Sequence, residues 1–182
     1  MNVRGFEVSS LHGLPVVAIA EGRILGKARE AVFDPHEHTL IGLTVSGRNG
    51  KGDGFVDCNR IRRLGPYAIV VSSAADVGSI DEHERAREVM SSGIRVRGAD
   101  VLTDEGKPVG KLDRIWLRDD GRVTRYRASL GGFGLGRSHE IAPEDVVVIG
   151  EDVVIVAADA VDGTRPAAQH PGDPRMPAHD EG

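Results

Sequence analysis

Apolar and polar residues alternate along much of this chain with a period of two, in short runs. In "LDRIWLRDD", Ile115 and Leu117 fall on one side, and Arg114, Trp116 and Arg118 on the other. In "VTRYRASL", Arg125 and Arg127 alternate with Tyr126. Successive strand residues point to opposite faces, so this pattern marks half-buried strands. Strands are predicted over 99–102, 112–117, 123–130, 139–141 and 153–157. "DEGK" (104–107) and "RDDGR" (118–122) supply hairpin turns, and "APED" (142–145) reads as a single helical turn before the last strand. Only "SIDEHERAREVMSSG" breaks the alternation. Ile80, Ala86, Val89 and Met90 form a rough stripe at helical spacing, Ser79 and Glu82 have the spacing of a capping box, and Gly93 suits a helix stop. One helix is predicted over 81–91.

The strand-forming regions are related to each other. Glu21-Gly22 recurs as Glu105-Gly106 and Gly26-Lys27 as Gly110-Lys111, both 84 residues later. Leu11-His12-Gly13 answers Val96-Arg97-Gly98, and "NRIRRLGPYAIVV" lies over "EDVVVIGEDVVIV", both at an offset of 85. Three blocks in order at nearly one offset identify an internal duplication. Short strands at regular spacing, with no amphipathic helix inside either copy, suggest two small β-barrels, since closure removes edges that such small sheets must otherwise protect. The expected organisation is all-β: repeat 1 over 1–78, a linker helix within 79–93, repeat 2 over 94–161, and a tail over 162–182. The tail holds four prolines, one Met, and no Val, Ile, Leu or aromatic residue, so it is expected to be disordered.

The second copy, "GADVLTDEGKPVGKLDRIWLRDDGRVTRYRASLGGFGLGRSHEIAPEDVVVIGEDVVIV", resembles a PRC-barrel domain. An acidic-Gly turn leads to Val-Gly-Lys, a hydrophobic strand, Asp-Asp-Gly-Arg-Val, a Gly-rich loop and a closing valine strand. The first copy keeps "EGRILGK" and the closing strand but has a longer "SGRNGKGDGF" loop, and Cys58 where the second has Pro143. The resemblance implies a tandem PRC-barrel protein. That family includes the cytoplasmic domain of the photosynthetic reaction-centre H subunit, the C-terminal domain of a bacterial ribosome-maturation factor, and stand-alone bacterial and archaeal proteins. Its shared theme is docking onto a larger assembly, and no catalytic residues define it. Ribosome maturation and assembly of a photosynthetic complex are further roles that the resemblance implies.

The net charge of −5 is spread as +1, −2, −2 and −2 over the four segments, which disfavours direct binding to nucleic acid phosphates. One cysteine rules out an intrachain disulfide and fits a reducing cytoplasm. The N-terminus carries no secretory pattern, and no run approaches a membrane span, so no membrane insertion is expected.

Candidate chemistry is sparse. "GGFGLGRSHE" looks like a phosphate cradle, but a strand follows where a helix N-terminus is needed, so it reads as a barrel loop. Asp34, His36 and His38 in "DPHEH" are weak metal candidates against a solvated hairpin tip. Ser138-His139-Glu140 cannot form a relay, because strand neighbours face opposite ways. Cys58 has Arg60, Arg62 and Arg63 nearby in sequence, yet reads as a small half-buried residue. Arg114, Trp116, Arg118, Arg125 and Arg127 have the composition of a partner-binding hairpin, or of a solvated face paired with Asp113, Asp119 and Asp120. The expectation is a non-enzymatic adaptor that needs no cofactor and binds a protein or ribonucleoprotein assembly. A small-ligand or metal-binding protein is the alternative, and a homodimer formed through strand edges or the groove between the barrels is the third reading.

Overall fold

A computed structural model describes residues 5–47, 53–131 and 137–161 of the chain. The expected disordered tail, 162–182, lies outside them, as do the centres of the two glycine-rich connections, 48–52 and 132–136.

The duplication is visible strand by strand. In the first copy β2 (Pro15–Ala18), β3 (Arg23–Asp34), β4 (Thr39–Gly47), β5 (Gly54–Asp57), β6 (Ile61–Leu64) and β7 (Ile69–Val71) run in the order β5-β4-β3-β2-β7-β6. In the second, β8 (Asp100–Thr103), β9 (Pro108–Leu117), β10 (Val123–Ser129), β11 (Ser138–Ile141), β12 (Val146–Ile149) and β13 (Val153–Val156) repeat it as β11-β10-β9-β8-β13-β12. Each copy has one parallel pair, β2 with β7 and β8 with β13. A short β1 (Phe6–Glu7), ahead of the six strands of the first sheet, pairs with β9 of the second copy through Phe6↔Leu117 and Glu7↔Trp116.

Even the irregularities recur. The β3–β4 ladder shifts between Ala28 and Ala31, and the β9–β10 ladder shifts opposite Arg127 and Ala128, where Asp113 is the extra residue. A second shift, with the extra residue on the return strand, follows in both hairpins. The repeated Gly-Lys has a steric cause. A Cβ at Gly26 would lie 2.0 Å from the Ser46 carbonyl oxygen, and one at Gly110 would lie 2.4 Å from that of Ser129. Only glycine admits the neighbouring backbone so closely.

Three expectations need correction. β9 begins at Pro108 rather than residue 112, with Gly110 inside the strand. Val146–Ile149, absent from the expected strands, forms β12. Among the described residues neither sheet closes by hydrogen bonding: the 3-10 turns Cys58–Arg60 and Pro143–Asp145 stand between β5 and β6 and between β11 and β12, and the strand order remains open.

The copies are not separate beads. One apolar core contains Leu11, Val16, Leu43 and Ile69 from the first and Leu112, Leu117, Tyr126 and Val154 from the second. The linker is a 3-10 turn, Ile80–Glu82, followed by α1 (Glu84–Ser91). Ser79 caps the 3-10 turn by accepting the Asp81 N–H, and the reciprocal capping box falls instead at Ser73 and Asp76. The apolar stripe has an address: Ala86 and Val89 join Val32 and Phe55 in a second cluster, so α1 roofs the first sheet. Gly93, at φ +77°, turns the chain away.

Candidate functional site

The five candidate residues of the β9–β10 hairpin lie on its outer side, each arginine beside a carboxylate. Arg114 meets Glu7 of β1 at 3.3 Å, Arg125 meets Glu140 of β11 at 3.0 Å, Arg118 forks onto Asp120, and Arg127 forks onto Asp113. Asp113 also accepts the Ser129 hydroxyl at 3.1 Å, and the Arg127 guanidinium holds its carboxyl below the usual range. The bulge at Asp113 places it beside Arg127 rather than in the core. Trp116 is half-buried beneath Arg125, whose guanidinium carbon lies 4.1 Å from the ring centre. Stacking leaves the buried Arg125 Nε without a hydrogen bond. The repeat equates Trp116 with Val32, which α1 covers, so the two copies finish this face differently: one with a helix, the other with a cation over an aromatic ring.

The "DPHEH" turn joins β3 to β4, but it is not simply a solvated tip. Asp34 is buried, and its Oδ1 accepts the backbone N–H groups of His36 and Glu37 at 2.9 and 3.1 Å. Its Oδ2 accepts Arg85 Nε from α1 at 2.7 Å. His38, at φ +51°, reaches across to the second copy, with Nδ1 2.8 Å from the Tyr126 hydroxyl. Burial lowers the His38 pKa and raises that of Tyr126. Backbone bonds reinforce the contact: Leu40 donates to the Gly121 carbonyl, and Val123 to that of His38. Asp34 and His38 thus have structural partners, while His36 is exposed. Among the described residues no three His, Cys, Asp or Glu side chains gather as a metal-ligand set.

Cys58 packs where the two copies meet, and a Cβ on Gly121 would lie 2.5 Å from its Sγ. Burial, with help from Asp57 and Asp120, pushes the thiol up to about 11. The neighbouring arginines in sequence do not activate it. On β11, His139 is half-buried between exposed Ser138 and Glu140. The centre of "GGFGLGRSHE" lies outside the described residues. Its ends join β10 to β11, with the Leu130 N–H donating to the Arg137 carbonyl at 2.9 Å, so β11 follows where a phosphate cradle requires a helix.

The feature that sequence reasoning missed is β12. This edge strand exposes Val147 (61%) and Val148 (45%) side by side, and among the described residues no strand pairs with its outer edge. Its counterpart β6 has the same burial pattern and the same bulge, but exposes Arg62 and Arg63 there. Charged side chains are a standard protection for sheet edges, and the second copy lacks it. Glu144 precedes the valines, and Glu151 and Asp152 follow them, all three exposed. β12 is therefore an apolar edge between acidic ends. The signal was present in "VVVIGED" lying over "IRRLGPY" at the repeat offset.

Two pseudo-equivalent sheets of identical strand order, each with one parallel pair and a 3-10 turn before its fifth strand, define a duplicated small all-β domain. The PRC-barrel domain model matches residues 4–82 and again 88–162, and the chain belongs to that family. PRC-barrel domains are often involved in protein interactions or assembly and are generally non-catalytic. No curated protein matches the chain. No helix among the described residues is long and apolar enough to cross a membrane.

Proposed function

We propose that this protein is a non-enzymatic, cytoplasmic docking module whose second PRC copy receives an apolar, basic-flanked segment of a larger protein or ribonucleoprotein assembly along β12. The supporting observation is the exposed Val147–Val148 pair on an edge strand whose sister carries Arg62 and Arg63. The acidic ends complement Lys or Arg on either side of the docked segment. The bulge at Val147 interrupts a regular ladder, which suits one defined partner better than open-ended strand stacking.

Restoring the sister's protection tests the proposal. V147R/V148R should keep its circular dichroism spectrum and lose a discrete partner that the wild type enriches from native extract. A photo-crosslinking residue at position 147 should trap an apolar, basic-flanked segment, whereas one at position 62 should not. A folded double arginine variant that retains every partner, or crosslinks from both positions alike, refutes β12 docking. A light-scattering mass of twice the monomer, lost in the variant, would make a second copy the occupant and also refute the assembly partner.

A further inference from the structure

A cleft of about 460 Å³ opens where the two copies and the linker meet. It lies between the 3-10 turn Val8–Leu11, the outer half of β3 and the segment following α1. Its apolar floor includes Leu11, Phe33, Leu43 and Ile115, drawn from both copies and nearly or wholly buried. Three arginines, Arg29, Arg95 and Arg97, line it as well, together with Glu30.

Arginines without an ion pair to a described carboxylate also occur at Arg23, Arg60, Arg62 and Arg63, but here three of them line one hollow. The chain is acidic overall, and its hairpin arginines are each matched to a carboxylate. Arg29, Arg95 and Arg97 form no ion pair with any described carboxylate, although all three line one hollow. Protein interiors are otherwise close-packed, and a hollow of this volume falls within the size range of small-molecule sites.

We infer that this cleft binds a small amphipathic carboxylate, its apolar body on the floor and its carboxylate against the arginines. A guanidinium matches a carboxylate with two parallel hydrogen bonds. Glu30 reduces the net positive charge of the lining, which suits a monocarboxylate better than a dianionic phosphate. The site is separate from β12, and neither proposal depends on the other.

Calorimetric titration of the full chain with octanoate, octanol, butyrate and octyl phosphate tests the inference. Octanoate should saturate one site with a Kd below about 1 mM. Octanol lacks the charge, butyrate the length, and octyl phosphate carries excess charge, so each should bind at least about tenfold more weakly. R29A/R95A/R97A, which alters only exposed side chains, should weaken octanoate by at least about tenfold. A31L, which fills the hollow and leaves the arginines in place, should abolish binding while the circular dichroism spectrum is retained. Failure of wild-type protein to saturate with octanoate, equal binding by the triple variant, or octanol binding as tightly as octanoate would overturn the assignment.

Discussion

Asp34 offers the sharpest quantitative test of how the linker is fastened to the first sheet. Its carboxyl is held at about 2 instead of the ordinary 3.8, chiefly by the Arg85 hydrogen bond and further by the His36 and Glu37 backbone N–H groups, against the opposing effect of burial. Folding therefore favours the charged form, and the stabilisation is fully present above pH 3.8 and fades as pH falls toward about 2. The full difference corresponds to about 2.4 kcal/mol at neutral pH. Arg85 is half exposed, so solvent screening reduces the expected figure to about 1–2 kcal/mol. Asp34→Asn keeps an oxygen for the two backbone donors and removes the charge. Asp34→Ala removes both and should cost about 3 kcal/mol, since two N–H groups also lose their acceptor. Urea unfolding followed by circular dichroism at pH 7 and pH 3 measures both variants. The Asn deficit should shrink to about half at pH 3, because the wild-type carboxyl is by then partly titrated in the unfolded chain. An Asn variant as stable as wild type at pH 7, or a deficit unchanged at pH 3, would refute the reasoning.

Other consequences can be measured on the same protein. Gly26→Ala should destabilise by about 3 kcal/mol in urea, because its Cβ would meet the Ser46 carbonyl, whereas Gly22→Ala, at φ +59° with open space around it, should cost only about 1 kcal/mol. Equal losses would show that the backbone approach at Gly26 is not the cause. Iodoacetamide should label Cys58 at pH 8 at least about 100-fold more slowly in native protein than in urea, because the buried thiol ionises only near pH 11; comparable rates would place it at the surface. A core shared by both copies should unfold in one transition, with Trp116 fluorescence and far-UV circular dichroism coinciding, and two resolved transitions would make the copies independent.

Much of the architecture was legible because its signals are local. Alternation at Arg114–Arg118 placed Ile115 and Leu117 inward, "RDDGR" marked a turn, and Gly93 marked the end of α1. The misreadings have local causes too. The expected strand starts at residue 112, past Gly110, because the reason for that glycine, the Ser129 carbonyl, lies on another strand. Ser79 has the right spacing to Glu82 for a capping box, but the chain makes a tight 3-10 turn there. β12 was missed because Val146–Ile149 follows directly on the turn read at 142–145, and the one strand expected after that turn lies at 153–157. Its meaning emerged only when β6 lay beside it in an equivalent sheet position.

The sequence by itself determined the duplication, the all-β character and the single helix, since side-chain period, turn chemistry and repeat offset are written in neighbouring residues. Tertiary structure decided which apolar faces meet. It merged two copies into one core, joined Asp34 to Arg85 and Glu7 to Arg114, and hid Cys58. Among the described residues it also left the sheets unclosed and collected around one hollow three arginines that have no carboxylate partner there. The physical reason is that hydrophobic burial is non-directional. An apolar face records that it will be covered, while its partner is chosen by the packing of the whole chain.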